Sequence, residues 1–339
     1  MRHLKFVYYI AVLVLSFIAS CNTQNSTAQE NIIFSQVLHQ MSQVDKAYFD
    51  MIRDMQFYED KLYFIARSTP YVVYRLGDDY QIEVAFGKEG HGPGEFIDAT
   101  KFYINEDTVF IVDAGKIRML SYRIEGEFVE ELILTDRNYT INNFSVDASG
   151  NFFTASPLNE YPIAIINRTN NEMVKNYGTR IQYSNETDDM INNRFHVHKG
   201  HSSIVSISTT NPIISVYDLS GEKIGDVALP ESLVQSRIAY RQNEIRKDPE
   251  KRRLEYILNY DTYIYNNELY VLVCENTIED GFVCNKIAVF SNIDSFPTFK
   301  TIIQLPGAVY EAFCVNGEKI AAYETTTNTI QFLSLPNDD

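Results

Sequence analysis

Tryptophan is absent from this 339-residue chain, cysteine occurs four times, and no two cysteines stand as C-x-x-C. Zinc-ribbon ligands and a thioredoxin-type dithiol are therefore missing. There is no G-x-S-x-G, so no serine sits on a nucleophile elbow, and no H-E-x-x-H to place two imidazoles on one helix face. Positive charge is scarce as well: 29 lysines and arginines face 45 acids, for a net charge of −16. Repulsion from phosphate excludes nucleic acid as a partner. The glycine-rich stretch 87–94 lacks a lysine–serine pair at P-loop spacing and opens no helix. It reads as a connection rather than a phosphate cradle.

The amino terminus is present but is not part of a fold. Arg2, His3 and Lys5 precede an uncharged apolar run over residues 6–19, which is too short for a stop-transfer helix. Ile18-Ala19-Ser20-Cys21 resembles the lipobox of bacterial lipoproteins. That resemblance implies a signal peptide over residues 1–20 and lipidation of Cys21. Residues 21–30 are polar and patternless, as in a flexible tether. Removing residues 1–20 takes away two basic residues and no acids, leaving −18. The expected location is the bacterial envelope, most simply the outer membrane facing the periplasm. The membrane partner is reached only through the lipid.

From residue 31 onward the chain repeats a turn followed by β-alternation. The second turn residues are Asp60, Asp107, Gly150, Gly200, Asn267 and Gly317, at intervals of 47, 43, 50, 67 and 50. Two further strand-like runs follow most of these turns. Four short antiparallel strands at a period of ~45 residues indicate one propeller blade each. Tyrosine and phenylalanine, 23 and 21 of them, suit strands whose faces pack blade on blade. The last unit has room for three strands. Residues 31–37 are expected to supply the fourth and seal the ring. The long interval contains residues 231–258, rich in helix formers, and without these 28 residues it shrinks to 39. This predicts a short helical insertion between blades 4 and 5, with Asp248-Pro249-Glu250 starting a second helix whose stripe is Leu254, Ile257 and Leu258. Its basic residues, Arg237 and Arg241 among them, are expected on a solvated face. The fold class is all-β, a six-bladed β-propeller spanning residues 31–339.

The segment G-K-E-G-H-G-P-G-E-F at 87–96, with Asp113 and Arg118 five residues on, resembles an NHL-type repeat. The whole chain resembles six-bladed propeller lipoproteins of the bacterial cell envelope, NHL-like and related in shape to TolB-type propellers. Lys116 departs from that repeat, which usually carries Asn there, and the other blades lack G-P-G-E. The resemblance implies fold and location more than activity.

Loops leading into the innermost strands place Arg53, Glu95, Asp98, Asn142, Asn143, Arg194, Asp261 and Glu311 near the channel mouth. These are the candidate binding residues for a protein or small-molecule ligand. The set resembles the Glu, Asn and Asp residues with which gluconolactonase-like propellers hold calcium. The resemblance implies, as the alternative function, a divalent-metal-dependent hydrolase or lyase. His196 and His198 share one strand face at two-ligand spacing, but nothing nearby completes a structural zinc set. They are read as polar strand residues, with no metal and no cofactor expected. Cys274 and Cys284 flank a turn and could oppose each other across a hairpin. A disulfide and two buried thiols both fit that placement. The leading expectation is a non-enzymatic, lipid-anchored binding or scaffold protein.

Overall fold

The computed structural model describes residues 31–336 apart from 45–46, 49–50, 68–70, 135–142, 157–159, 183–185, 249–255 and 278–280. Residues 1–30, where the leader, the lipidated Cys21 and the tether are expected, lie outside the described residues. So do Asn142, Pro249, Glu250 and Leu254. No helix among the described residues is long and apolar enough to cross a membrane.

The described residues from Ile32 onward form a ring of six sheets. The innermost strands are Ile52–Tyr58, Ala99–Asn105, Ser145–Val146, Phe195–Lys199, Asn259–Tyr265 and Tyr310–Val315, for blades 1 to 6. Each pairs antiparallel with the next strand out, across the turn expected from the sequence. Glu59-Asp60 and Asn266-Asn267 place two consecutive residues at positive φ, the geometry of a two-residue hairpin turn that follows strand twist. Six buried apolar clusters fill the six blade interfaces, and the last closes the ring. There Ile52, Met55, Phe64 and Tyr74 of blade 1 pack on Ala312, Tyr323 and Phe332 of blade 6.

Closure uses the amino-terminal segment, shifted from the expected register. Val37–Met41, not residues 31–37, is the outer strand of blade 6 and pairs with Thr329–Ser334. His39 stacks on Tyr80 of blade 1 at 4.1 Å between ring centroids. Ile32–Phe34 runs parallel to Thr298–Gln304 and adds a fifth strand to blade 5. The crossing is pinned at Ser334, whose N–H donates to Gln36 O and whose hydroxyl accepts from Gln36 N–H. One segment thus fastens two blades.

The glycine loop is an inter-blade connection. Gly87, at φ 71°, lies under the Phe96 ring, where a Cβ would meet that ring at 2.6 Å. Asp113 is buried and accepts from the N–H groups of Ile97, Asp98 and Gly115 and from Arg118 Nε at 3.1 Å. Arg118 also donates to Glu95 O and Glu131. The NHL-like Asp–Arg pair therefore staples the loop between blades 1 and 2.

Among the described residues two helices interrupt the ring. Helix α1, Glu186–Asn192, lies between blades 3 and 4 and had no counterpart in the sequence reading. Helix α2, Glu231–Lys247, lies between blades 4 and 5 as expected. Residues 256–258 are not helical but lead directly into blade 5. Arg237 and Arg241 are not on a solvated face: both stack over Tyr256, and Arg237 also covers Phe282 and donates to Ile257 O. Each guanidinium lies over an aromatic ring, a cation–π contact, while its N–H groups reach a carbonyl oxygen.

Because Val37–Met41 seals blade 6 and Ile32–Phe34 extends blade 5, a chain beginning at Asn31 should melt close to the full-length protein. A chain beginning at Ser42 should melt at least roughly 5 °C lower, about 2 kcal/mol for a domain this size. Thermal unfolding of the two truncations checks this, and equal midpoints would refute closure by that segment.

Candidate functional site

Four of the six innermost strands share one irregularity. The register shifts between Ile52 and Asp54, Ala99 and Lys101, Asn259 and Asp261, and Tyr310 and Ala312. A bulge leaves one residue out of the ladder and re-aims its side chain. The extra residues are Arg53, Thr100, Tyr260 and Glu311, and all four line one cavity of about 300 Å³ at the channel mouth. Arg194, His196, Thr209, Ile257 and Asn259 also line it, as does Lys101. Tyr260 donates its hydroxyl to Glu311 at 3.2 Å, and Arg53 forms an ion pair with Asp98 at 2.7 Å.

The residues after the bulges form the floor of the mouth. Lys101 Nζ lies 3.1 Å from Asp54 and 2.9 Å from Asp261, with side-chain exposures of 10%, 9% and 2%. The remaining carboxylate oxygens accept backbone N–H groups from neighbouring blades: Asp54 from Phe102 at 2.8 Å, Asp261 from Phe313 at 3.2 Å. Asn143 donates to Asp261 at 2.9 Å, to Thr262 O at 2.7 Å and to the Thr262 hydroxyl at 3.1 Å. That hydroxyl lies 2.7 Å from His198 Nε2, which suits a neutral imidazole accepting from it. In blade 6 the corresponding position is Ala312, which has no charge to contribute. Below the floor lies a second cavity, of about 140 Å³, lined by Asp54, Gln56, Tyr103, Asn143, His198 and Asp261 among others.

Charge in this floor follows from burial. Burial pushes the Asp54 carboxyl up to about 6, helped by the second carboxylate of Asp261 and opposed by Lys101 and the Phe102 N–H. For Lys101, burial alone would favour the neutral amine, but the two carboxylates more than offset it and hold the ammonium above its ordinary range. Burial, then the Lys101 charge, lowers His198 to about 3, and burial holds His196 well below its usual value. Both imidazoles are neutral at pH 7. His196 Nδ1 accepts from Asn143 N–H at 3.4 Å, while its buried Nε2 has no partner among the described residues.

Of the residues expected at the mouth, the structure gathers Arg53, Arg194 and Glu311 there and puts Asp261 in the floor. Glu95 is elsewhere: its carboxylate accepts from Gly92 N–H within the glycine loop. Asp98 sits at the rim on Arg53. Asn142 lies outside the described residues. The carboxylates therefore do not converge, and among the described residues no three His, Cys, Asp or Glu side chains are grouped for a metal ion. His196 and His198 share the strand face but bond different partners. Lys101, Asp54, Thr100 and Tyr260 were missed. A signal existed: Asp54, Lys101 and Asp261 each stand six residues before the second turn residue of their blades.

Ring, mouth and plugged floor define a six-bladed propeller with a shallow channel-face cavity. The family model for the TolB-like 6-blade propeller-like proteins matches residues 34–276, and the chain belongs to that family. Solved structures of similar fold include a Bacteroides fragilis NCTC 9343 protein named as exported, at 11% identity and TM-score 0.59, covering 91% of this chain and 100% of that one. A member of the DUF4221 family from Bacteroides vulgatus ATCC 8482 aligns at 12% identity and TM-score 0.55, over 88% and 97% of the two chains. A streptogramin B lyase aligns at 12% identity and TM-score 0.52, over 88% of each. No curated protein matches the sequence.

Removing only the ammonium strands two buried carboxylates. Lys101→Met should cost about 3–5 kcal/mol, and neutralising Asp54 and Asp261 as well (both to Asn) should recover part of it. Denaturant unfolding of both variants checks this; a single variant as stable as wild type would show that the floor holds nothing together.

The histidines also set a pH dependence. Their folded pKa values are depressed, so below about pH 6.5 the unfolded chain takes up protons that the folded one refuses. Their contribution is complete above that pH and is lost as pH falls, while Asp54, raised in the fold, works in the opposite sense between about pH 4 and 6. His198→Gln should flatten the loss by about 1.4 kcal/mol per pH unit below pH 6. Melting curves from pH 7 to 4 read this, and an unchanged slope would contradict it.

Proposed function

We propose that this protein is a lipid-anchored binding protein of the bacterial envelope whose channel mouth takes a small polar ligand or an exposed segment of a partner protein. The observation that carries the reading is the fourfold bulge. Four blades re-aim Arg53, Thr100, Tyr260 and Glu311 into one cavity. The cavity offers cationic Arg53 and Arg194 together with the carboxylate of Glu311, so a ligand carrying both donors and acceptors is best matched. Binding residues held on a rigid ring lose little entropy on complex formation.

The metal-dependent hydrolase reading has less support. The carboxylates it would use are divided between the glycine loop, the rim and the floor, and those of the floor are already bonded to Lys101 and to backbone N–H groups. Location rests on the leader-like residues 1–20 and the lipobox-like run ending at Cys21, with the exported relative in keeping.

A thermal-shift screen of amino acids, short peptides and sugar acids should yield ligands that stabilise the wild type. Arg53→Ala or Glu311→Gln should weaken such a ligand at least about tenfold, or 1.4 kcal/mol, with little change in intrinsic stability. Ligands indifferent to both substitutions would move the site away from the mouth. In cells, Cys21→Ala should abolish palmitate labelling and membrane retention; equal labelling would refute the anchor.

A further inference from the structure

The longest hairpin of the ring joins Glu268–Thr277 to Gly281–Ser291 in blade 5. Cys274 and Cys284 meet across it, both fully buried, with Sγ atoms 2.9 Å apart as hydrogen-bonded thiols. The ladder skips this level: Val273 pairs with Lys286, and the next pair is Glu275 with Val283. Neither cysteine uses its backbone N–H across the hairpin. Cys274 N–H donates to Leu258 O and Cys284 N–H to Ala308 O, both at 2.9 Å. The register shifts here, so that Cys274 alone stands opposite Cys284 and Asn285; this bulge re-aims the side chains and leaves the two sulfurs in direct approach. The sulfurs would have to close by about 0.9 Å to bond, a change that side-chain rotation can supply.

The position matters to the mouth. Leu258, which accepts from Cys274, is followed by Asn259 and Tyr260 of the cavity wall. Arg237 of α2 bonds Ile257 O on one side and Asn276, near the hairpin tip, at 2.8 Å on the other. Hairpin, helix and mouth wall therefore meet beside this sulfur pair.

We propose that Cys274 and Cys284 form a disulfide when the protein is made in an oxidising compartment, a covalent staple behind the blade 5 wall of the mouth. The oxidant is an exchangeable disulfide, carried by a thiol oxidoreductase or a small oxidised thiol. Two S–H bonds are lost and one S–S bond forms; two electrons and two protons pass to the oxidant, which leaves as two thiols. Exchange precedes closure of the blade, because burial and then the Cys274 hydrogen bond hold the folded Cys284 as a thiol rather than the reactive thiolate. Cys314, in the blade 6–blade 1 interface, has no cysteine beside it among the described residues and stays reduced.

The full chain, secreted into an oxidising periplasm, is denatured without reductant, alkylated and mapped by mass spectrometry. The expected result is one cross-linked pair containing Cys274 and Cys284, separated by reduction, with Cys314 alkylated. Alkylation of both Cys274 and Cys284 without reduction would overturn the proposal, as would a cross-link to Cys314. Wild type refolded under reductant should melt roughly 4–8 °C below the oxidised form, and Cys274→Ser should not respond to reductant. Identical midpoints for the oxidised and reduced wild type would overturn the staple role. Neither reading involves a ligand, so failure here is distinct from failure of the mouth as a binding site.

Discussion

One ammonium holds the middle of this ring. Lys101 comes from blade 2, its carboxylate partners from blades 1 and 5, and Asp261 accepts in turn from Phe313 N–H of blade 6. Asn143, just ahead of blade 3, ties Asp261 to Thr262, and Thr262 reaches His198 of blade 4. All six blades thus enter one bonded network. Hydrophobic packing at the blade interfaces is non-directional and supplies most of the driving force, but it does not fix how six sheets are disposed around an axis. A buried charge with two buried counter-charges does, because each misplacement leaves a carboxylate or the ammonium unpaired in low dielectric.

The same network decides what the channel can be. A ring with an open bore offers a passage, whereas this one is divided by its ionic floor into a mouth of about 300 Å³ and a smaller space of about 140 Å³ beneath. With the floor already bonded, Arg53, Thr100, Tyr260 and Glu311 are left lining the mouth above it. The bulges accomplish both tasks at once. In three of the four blades one residue is turned to the mouth and the next is sent into the floor. Blade 6 repeats the backbone device but carries Ala312 where the others carry a charged residue.

Much of the scaffold was legible. Turn residues that accept positive φ punctuate the chain at blade intervals, and the β-rich run after each turn marks a strand, here buried on both faces; both are local properties. Legibility failed where non-local pairing chose between local equals. Residues 31–37 and Val37–Met41 are both strand-like, and only the position of Tyr80 and Phe332, against which His39 packs, selects the second. Arg237 and Arg241 read as solvated helix charge, yet Tyr256 and Phe282 arrive from elsewhere to cover them. Glu95 belonged by position to the channel, but the glycine loop folds back and takes its carboxylate for Gly92.

By itself, then, the sequence determined the number of blades, the order of strands within each and the place of the longer helix. These depend on periodicity and turn chemistry, which act over a few residues. Tertiary structure decided the floor. Asp54, Lys101 and Asp261 are separated by tens to hundreds of positions; Asp54 and Lys101 alone look like ordinary polar residues on inner strands, and Asp261 was expected at the mouth rather than in an ion pair. Their meaning arises only when ring closure brings them within hydrogen-bonding distance and removes the water that would otherwise satisfy them.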